Sequence, residues 1–461
     1  MQASAIVLAA GEGTRMRSSL SKVAHQILGV PMVRFVVDSV HAAGIARVVT
    51  VVGHHAEAVS AIVSDTEIAH QERRLGTGDA VSRAREAFAG VDGCVVVLAG
   101  DVPLIRAETI RTLVDAYESS ETACVMLTAR FADPDGYGRV VRGPLGRVAA
   151  IVEHRDLRPD QGWIDECNVG VYCFDVHELF DRVARLEPAN TQGELYLTDV
   201  IGMLVADGLE VDAIETAEPE ECLGVNTRVQ LAHASRIMQR RINLSHMLSG
   251  VTMTDPDLAW VSPGVTLARD VVLEPMTFLV GDATVGEGAV IGPSTRIENG
   301  KVGSGATVER SVVCDAVIGD RATVGPNAYL RPGTVLAAGS KVGSFVEVKN
   351  STIGEGSKVP HLSYVGDATI GHDTNVGAGS ITCNYDGFEK HTTVIGDGAF
   401  IGSDTMLVAP VNVGDGAMTG AGSVISKDVP PGALGIERSE QRNIEGFVER
   451  REAHGPDERK A

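Results

Sequence analysis

Apolar runs are short throughout this chain, and none approaches the roughly 18 consecutive residues that a membrane-spanning helix requires. No transmembrane helix is therefore expected. Positive charge is in the minority: 40 Lys and Arg against 61 Asp and Glu leave a formal net charge of −21. That balance argues against nucleic acid or an anionic membrane as the main partner, and it confines any basic site to a local pocket. The seven cysteines (Cys94, Cys124, Cys167, Cys173, Cys222, Cys314 and Cys383) are odd in number and form no CxxC or zinc-like spacing. Reduced thiols in the cytoplasm are the simplest reading. The opening MQASAIVLAAGEGT lacks a basic n-region and runs straight into glycines, so it reads as a first strand and not a signal peptide. Aromatic residues are only 4% of the chain, which suits an interior of aliphatic side chains.

What the second half does contain is a period of six. Aliphatic residues recur at Val261, Leu267, Leu273, Leu279, Val285, Ile291 and Ile297, again at Ile318, Val324, Leu330, Leu336, Val342 and Val348, and again at Ile395, Ile401, Leu407 and Val413. Neither an amphipathic helix nor an alternating strand has that period. It is the signature of a parallel β-helix of hexapeptide repeats, in which each aliphatic side chain enters a narrow coil and small residues turn the corners. Three hexads make one triangular turn, so 261–426 corresponds to about nine turns. The register slips at Ile297–Val302, Val308–Val312 and Val348–Ile353, and breaks more deeply at CNYDGFEKHTTV (383–394). An excursion from a rigid coil is a candidate binding loop.

At 461 residues the chain suits two or three domains. Residues 1–226 alternate β-rich runs (5–10, 47–53, 94–100, 123–130, 170–175) with helical patterns, which predicts a parallel sheet covered by helices, with function at the C-terminal strand ends. Residues 227–250 read as a linking helix, and 251–461 as the β-helix domain with a polar, partly disordered tail from about 440.

The strand AIVLAA ends in Gly11-Glu12-Gly13-Thr14-Arg15-Met16, with Lys22 a few residues on. The glycines permit close backbone approach to a phosphate or base, and backbone amides with Arg15 and Lys22 can neutralise a polyphosphate. Met16 stands where the dinucleotide fingerprint needs its third glycine, and the Walker pattern also fails. Asp101, in LAGDVPL, ends another strand, a position that suits Mg²⁺ bound by one or two oxygens plus substrate phosphates. The string LAAGEGTRM with its following Lys, together with RRLGTGDA, LAGDVPL, DGYGRV, VEH, ECNVGVY and GVNTR, resembles the sugar-1-phosphate nucleotidylyltransferases. The resemblance implies that Leu8, Ala9, Ala10, Gly11, Arg15, Lys22, Gln71, Gly76 and Thr77 bind the nucleotide substrate. It further implies that Gly138, Glu153 and Asn168 grip the sugar and that Asn226 joins Asp101 on Mg²⁺. Ser21 and Ala99 depart from the family pattern, which has a Pro before the Lys and a Tyr or Ser before the Gly-Asp. The reaction implied is in-line attack of a sugar-1-phosphate oxygen on the α-phosphorus of a nucleoside triphosphate.

Within the coil, polar residues interrupt the pattern where a structural repeat needs none: Arg331, Lys349, His361, Tyr364, Asn375, Asn384, Tyr385, Lys390 and Ser403. A lone His would more often be a surface or packing residue, but here two cations, a Tyr and an Asn accompany it. The set suits amine acylation: a neutral imidazole accepts the proton, the cations hold a phosphate, and a donor steadies the oxyanion. YLRPG, FVEVKNS, HLSYVGDA, GSITCNYDG and GSDTMLVAPV, with the first-half motifs, closely resemble the family of bacterial bifunctional enzymes that make UDP-N-acetylglucosamine, over about residues 5–443. That family implies an α/β Rossmann-like nucleotidylyltransferase domain, a linking helix and a left-handed β-helix. It makes His361 the catalytic base, has Arg331, Lys349, Tyr364 and Asn375 hold glucosamine-1-phosphate, and puts Ala378, Asn384, Tyr385, Ser403, Ala421 and Arg438 against acetyl-CoA. It also implies UTP and N-acetylglucosamine-1-phosphate as substrates, Mg²⁺ as cofactor, a cytoplasmic location and a homotrimer. A nucleotidylyltransferase with the coil as mere oligomerisation scaffold is the competing reading, but a scaffold would not need His361, Tyr364 and the Asn384–Tyr385 loop together.

Overall fold

A computed structural model of the chain describes residues 3–53 and 55–453. The backbone divides into two compact units, Met1–Leu244 with Val261–Pro263, and Ser245–Trp260 with Gly264–Ala461. Among the described residues no helix is long and apolar enough to cross a membrane.

The first unit is built on a nine-stranded sheet. Its strands are β1 (Ala3–Ala9), β2 (Arg47–Val52), β3 (Glu67–His70), β4 (Cys94–Ala99), β5 (Cys124–Arg130), β6 (Gly138–Arg142), β7 (Val148–Val152), β8 (Glu166–Asp175) and β9 (Val211–Glu215). The main path runs β9-β5-β8-β4-β1-β2-β3, and the β6–β7 hairpin attaches to β8. The near-continuous apolar runs of β1, β2 and β4 are what a sheet covered on both faces requires. Helices such as α1 (Met32–Ala42) and α4 (Ala107–Glu118) supply the cover, seating Val36, Val40, Ile110 and Leu113 in one apolar layer.

The expected parallel sheet is mixed. β1, β2, β3 and β4 are parallel, but β8 runs antiparallel to both β4 and β5. The chain reaches β8 through the β6–β7 hairpin, so no helical crossover returns it to the starting edge, and it enters reversed. A long helix, α7 (Arg228–Leu248), follows the sheet, and its Ala234 and Ile237 pack with Ile27, Met32, Leu104 and Val225.

The second unit is a parallel left-handed β-helix. Its three parallel sheets hold 11, 10 and 9 short strands. The first runs from Thr252–Met253 to Leu434–Gly435, the second from Ala259–Val261 to Val424–Ile425, the third from Thr266–Leu267 to Val411–Val413. Ten strands on the second sheet make nine turns between 261 and 425, as the hexad count requires. Every hexad aliphatic named above is buried except Leu267, which is half-buried. Register slips become turns one residue short: Phe278 pairs with Arg296, whereas Thr284 pairs with Lys301 and Val335 with Thr352. The deep break is a protruding loop, closed by the Tyr385–Lys390 bridge, that lengthens one turn so that Asn375 pairs with Phe400. In the polar tail a helix spans Phe447–Ala453, and residues 454–461 lie outside the described residues.

Candidate functional site

The first site grows from the sheet register. Leu8 pairs with Ala99 and Ala9 with Val52, so the C-terminal ends of β1, β2 and β4 lie side by side. β1 has one neighbour from each side of the chain order, and a crevice opens where the order reverses. Three segments converge on it: the glycine turn after β1, Gly100-Asp101 after β4, and Gln71, whose N–H donates to Val52 O at 2.8 Å. The backbone demands glycine at two places. Gly13 has φ +64°, and a Cβ there would stand 2.5 Å from Lys22 Cβ. Gly76 has φ +117°, and a Cβ there would stand 2.4 Å from Leu195 O. Such positions cost L-residues dearly, and they bring the two loops against their neighbours.

The crevice encloses about 800 Å³, and its walls include Leu8, Ala10, Gly11, Lys22, Gln71, Gly76, Thr77, Ala99 and Asp101. That volume suits a nucleotide-sized ligand. At its foot Val225 N–H donates to Asp101 O at 2.9 Å and so sets Asn226 beside Asp101. Lys22 Nζ contacts the Asp101 carboxylate and lies 3.1 Å from Asn226 Oδ1, and Arg15 Nη2 lies 3.0 Å from the same amide oxygen. Four residues separated by up to 211 positions thus meet at one point. Ala9 is buried in the sheet and is not part of the wall.

Gly138, Glu153 and Asn168, expected on the sugar, form a second group. Asn168 pairs with Gly138 across β8 and β6. A Cβ on Gly138 would come within 3.5 Å of Glu153 Oε2, so the missing side chain leaves room beside that carboxylate. Asn168 Oδ1 accepts from Tyr172 OH at 2.9 Å and from Gly170 N–H at 3.2 Å, which orients its amide. Burial pushes the Glu153 carboxyl above its ordinary range, against a 3.0 Å hydrogen bond donated by Thr198.

Sequence reasoning missed the groups that hold these residues in place. Buried Asp79 accepts from Gln71 Nε2 at 2.7 Å and from Arg83 at 2.6 Å, so Gln71 is fixed in orientation. Tyr172 and Thr198 hold Asn168 and Glu153, and Arg74 pairs with Glu12 at the crevice mouth. Glu12, Arg74, Asp79 and Tyr172 do lie inside LAAGEGTRM, RRLGTGDA and ECNVGVY, but only their motifs and not their supporting roles were readable, and Thr198 lies in no motif.

The second site is a matter of stacking. In the first ladder Val342 pairs with Val359, Val376 with Ile401, and Ser344 with His361. Two residues past the inward side chains of Val359, Val376, Ile401 and Thr419, His361, Ala378, Ser403 and Ala421 therefore occupy one corner in successive turns. Corner contacts link them: Gly379 N–H to His361 O at 3.3 Å, Asp404 N–H to Ala378 O at 2.7 Å, Gly422 N–H to Ser403 O at 2.8 Å. Arg438 joins the end of this column, donating to Ala421 O at 3.2 Å.

The cations stack on the second ladder, where Leu330 pairs with Val348 and Lys349 with Gly366. Arg331 bonds Glu347 at 2.8 Å, and Tyr364 follows Glu347 on the same face. Gly366 makes room for both the Tyr364 hydroxyl and Asn384, whose atoms would lie 2.4 Å and 2.8 Å from a Cβ. Asp367 collects Asn350 at 2.6 Å, Asn384 at 2.5 Å and Lys349 at 4.0 Å. Burial alone would raise its carboxyl, but these donors and the charges of Lys349 and Lys390 outweigh it and hold the carboxyl below the usual range. Lys349 lies close enough to Lys390 to lower the Lys390 ammonium. Two ammonium groups at such range make a place for an anion. Tyr385 is exposed on the loop, donating to Gly387 O at 2.7 Å. Asn375 stands apart, since it pairs with Lys358 and Phe400 on the first ladder and faces away from the Tyr364 face. Asp367, Glu347 and Asn350 were not singled out from sequence, although Asp367 lies in HLSYVGDA.

Comparison with known proteins agrees with this division. The family model of the MobA-like NTP transferase domain matches residues 5–191, and that of the GMPPB C-terminal domain matches residues 313–419. Among the relatives described as bifunctional protein GlmU, three span nearly the whole chain as follows. That of Halalkalibacterium halodurans is 47% identical over 445 residues, 96% of this chain and 98% of that protein. That of Heliobacterium modesticaldum is 48% identical over 448 residues, 97% and 98% of the two chains. That of Streptomyces coelicolor is 49% identical over 455 residues, 97% and 94%.

Proposed function

The chain belongs to the GlmU family of bifunctional proteins, and from that premise we propose how its two units divide two successive transfers. It is a bifunctional transferase that acetylates glucosamine-1-phosphate from acetyl-CoA and then moves a uridylyl group from UTP onto the product, releasing pyrophosphate. The observation that carries this reading is the convergence of Arg15 and Asn226 on Lys22 and Asp101, two wall residues of a nucleotide-sized crevice, in a chain that separately stacks His361 over a column leading to Arg438.

In the uridylyl site the sugar-1-phosphate oxygen attacks the α-phosphorus in line, and pyrophosphate leaves. Arg15 and Lys22 neutralise the triphosphate, Leu8 at the end of β1 and the turn at Ala10 and Gly11 line its crevice while buried Ala9 supports them from the strand, and Gln71, Gly76 and Thr77 read the base and ribose. Gly138, Glu153 and Asn168 hold the N-acetylated sugar. Positioning and charge neutralisation supply the acceleration, so no protein base is required. Asp101 and Asn226 fit Mg²⁺: they are hard oxygen donors, and one Lys22 Nζ touches both, so a single ion can reach both. Bound there with substrate phosphates and water, the ion would spread the charge that develops on the phosphoryl oxygens. Among the described residues no three His, Cys, Asp or Glu side chains gather for a metal, and a site completed by the triphosphate needs none.

In the acetyl site His361 takes the proton from the attacking amine. Arg331, Lys349 and Tyr364 hold the sugar phosphate, and Ala378, Asn384, Tyr385, Ser403, Ala421 and Arg438 carry acetyl-CoA. Asn375 lies on a different face from Tyr364, which supports a site completed by another copy, and membership of the family makes a homotrimer the proposed assembly. UTP and acetyl-CoA are cytoplasmic metabolites, and the seven cysteines are free thiols, so the cytoplasm is the proposed compartment.

Incubating the protein with acetyl-CoA, glucosamine-1-phosphate, UTP and Mg²⁺, with each omitted in turn, tests the scheme. UDP-N-acetylglucosamine should need all four. N-acetylglucosamine-1-phosphate should replace the acetyl donor and acceptor but not UTP. UDP-glucosamine formed from glucosamine-1-phosphate and UTP, with added acetyl-CoA left unconsumed, would refute the two-step reading and leave the coil a scaffold.

A further inference from the structure

Lys22 occupies the point a divalent cation would have to enter. Its Nζ contacts Asp101 Oδ2 and lies 3.1 Å from Asn226 Oδ1. The Lys22 and Asp101 side chains are only 13% and 15% exposed, so water does little to satisfy the carboxylate if the ammonium leaves. Arg15 Nη2 takes the remaining approach to the Asn226 oxygen, at 3.0 Å. Mg²⁺ sits about 2.0–2.1 Å from its oxygen ligands and demands near-octahedral room, and an ammonium lodged between Asp101 Oδ2 and Asn226 Oδ1 fills the place from which one ion would reach both.

The stem of Lys22 also lies along the glycine turn. A Cβ on Gly13 would meet Lys22 Cβ at 2.5 Å, and one on Gly11 would stand 3.9 Å from Lys22 Cε. The root of the side chain is packed against the turn, and its distal end runs over the backbone that would cradle phosphates. A compact ammonium on a flexible four-carbon stem can move between two acceptors on such a track.

We propose that Lys22 gates the metal site: it is the resident counter-ion of Asp101 and Asn226, and the triphosphate admits the divalent ion by drawing the Lys22 ammonium onto its phosphates. This rests on the reading of Asp101 and Asn226 as metal ligands. The free protein then binds divalent cations poorly, and metal and nucleotide enter as a coupled pair, each raising the affinity of the other by the same factor. A carboxylate in a shielded pocket is never left without a cation, and Mg²⁺ is not held where no phosphate awaits it.

The test uses full-length protein without nucleotide and Mn²⁺ as the probe, with free Mn²⁺ read by electron paramagnetic resonance. Lys22→Met should bind Mn²⁺ at least about tenfold more tightly than the wild type, a gain of the size that coupled sites show. Lys22→Gln serves equally if circular dichroism finds the Met variant unfolded. Arg15→Met, which removes a charge that touches only Asn226, should gain much less. Adding Asp101→Ala to Lys22→Met should abolish the gain. No gain in Lys22→Met, while Asp101→Ala still abolishes Mg²⁺-dependent uridylyl transfer, overturns the gate and leaves the metal reading standing. An equal gain in Lys22→Met and Arg15→Met assigns the effect to general charge and also overturns the gate. A gain that survives Asp101→Ala refutes the ligand assignment, and the gate falls with it.

Discussion

At the scale of single residues, the two sites place opposite demands on their titratable groups. His361 is exposed at a corner of the coil, as the proposed base for a substrate amine must be. His361→Ala should lower acetyl transfer by roughly the 10²–10⁴-fold typical of a lost general base. Uridylyl transfer from supplied N-acetylglucosamine-1-phosphate should stay near normal, and an unchanged acetylation rate would remove His361 from the mechanism. Glu153 is the contrary case, a carboxyl whose pKa burial raises above its ordinary 4.5. The folded state therefore holds that proton more tightly than the unfolded chain does. Its contribution to stability is most favourable below 4.5 and is lost as pH rises through the raised folded value. Glu153→Gln keeps an oxygen for the Thr198 hydroxyl and sheds the buried charge. The variant should resist urea better than the wild type at pH 7, with the advantage vanishing below pH 4.5, as followed by far-ultraviolet circular dichroism. An advantage that grew on acidification would show that Glu153 is stabilising as the carboxylate.

At the scale of elements, the coil is a stack in which each turn rests on its neighbours. Leu330 is fully buried and pairs with Val313 below and Val348 above. Leu330→Ala leaves a cavity in a core too narrow to collapse around it and should cost about 2–5 kcal/mol. Because stability in such stacks passes between adjacent turns, hydrogen exchange should quicken most in the turns around 313–348. Uniform exchange along the whole coil would mean that it unfolds as one block. The glycine turn after β1 is the counterpart in the first unit, a short element whose backbone and not its side chains shapes the crevice.

At the scale of the molecule, the two units predict separable activities. The Ala234 and Ile237 side chains of α7 cover Ile27, Met32 and Leu104, so a fragment ending at 226 would expose that apolar cluster. A fragment of 1–244 should be soluble and retain uridylyl transfer, and a fragment of 1–226 should melt lower. Equal melting of the two by circular dichroism would show that α7 contributes nothing to the unit. The proposed trimer is tested by sedimentation: substitutions on the coil surface that yield monomers should lose acetylation and keep uridylylation. A monomer with full acetyltransferase activity would mean that one chain completes the site.

How much of this could be read from the amino acids follows the range of the interactions involved. The coil was legible because its rule is local. An aliphatic residue every sixth position faces inward wherever the chain turns through a triangle, and the turn count followed without any long-range information. Gly13 and Gly76 were legible too, as motif members, although only the left-handed φ values and the close approaches of Lys22 Cβ and Leu195 O show why no other residue fits. The reversal of β8 was not legible, since a hairpin and a helical crossover leave similar apolar strings. Nor were the roles of Asp79, Tyr172, Thr198 and Asp367, three of them inside recognised motifs, because their partners lie 4 to 45 positions away or on the next turn. The amino-acid sequence by itself determined which local conformations and which motifs this chain carries. Only the tertiary structure decided which charges meet, because the pairing of Lys22 with Asp101 and Asn226 spans 79 and 204 residues and exists only once the strand ends lie side by side.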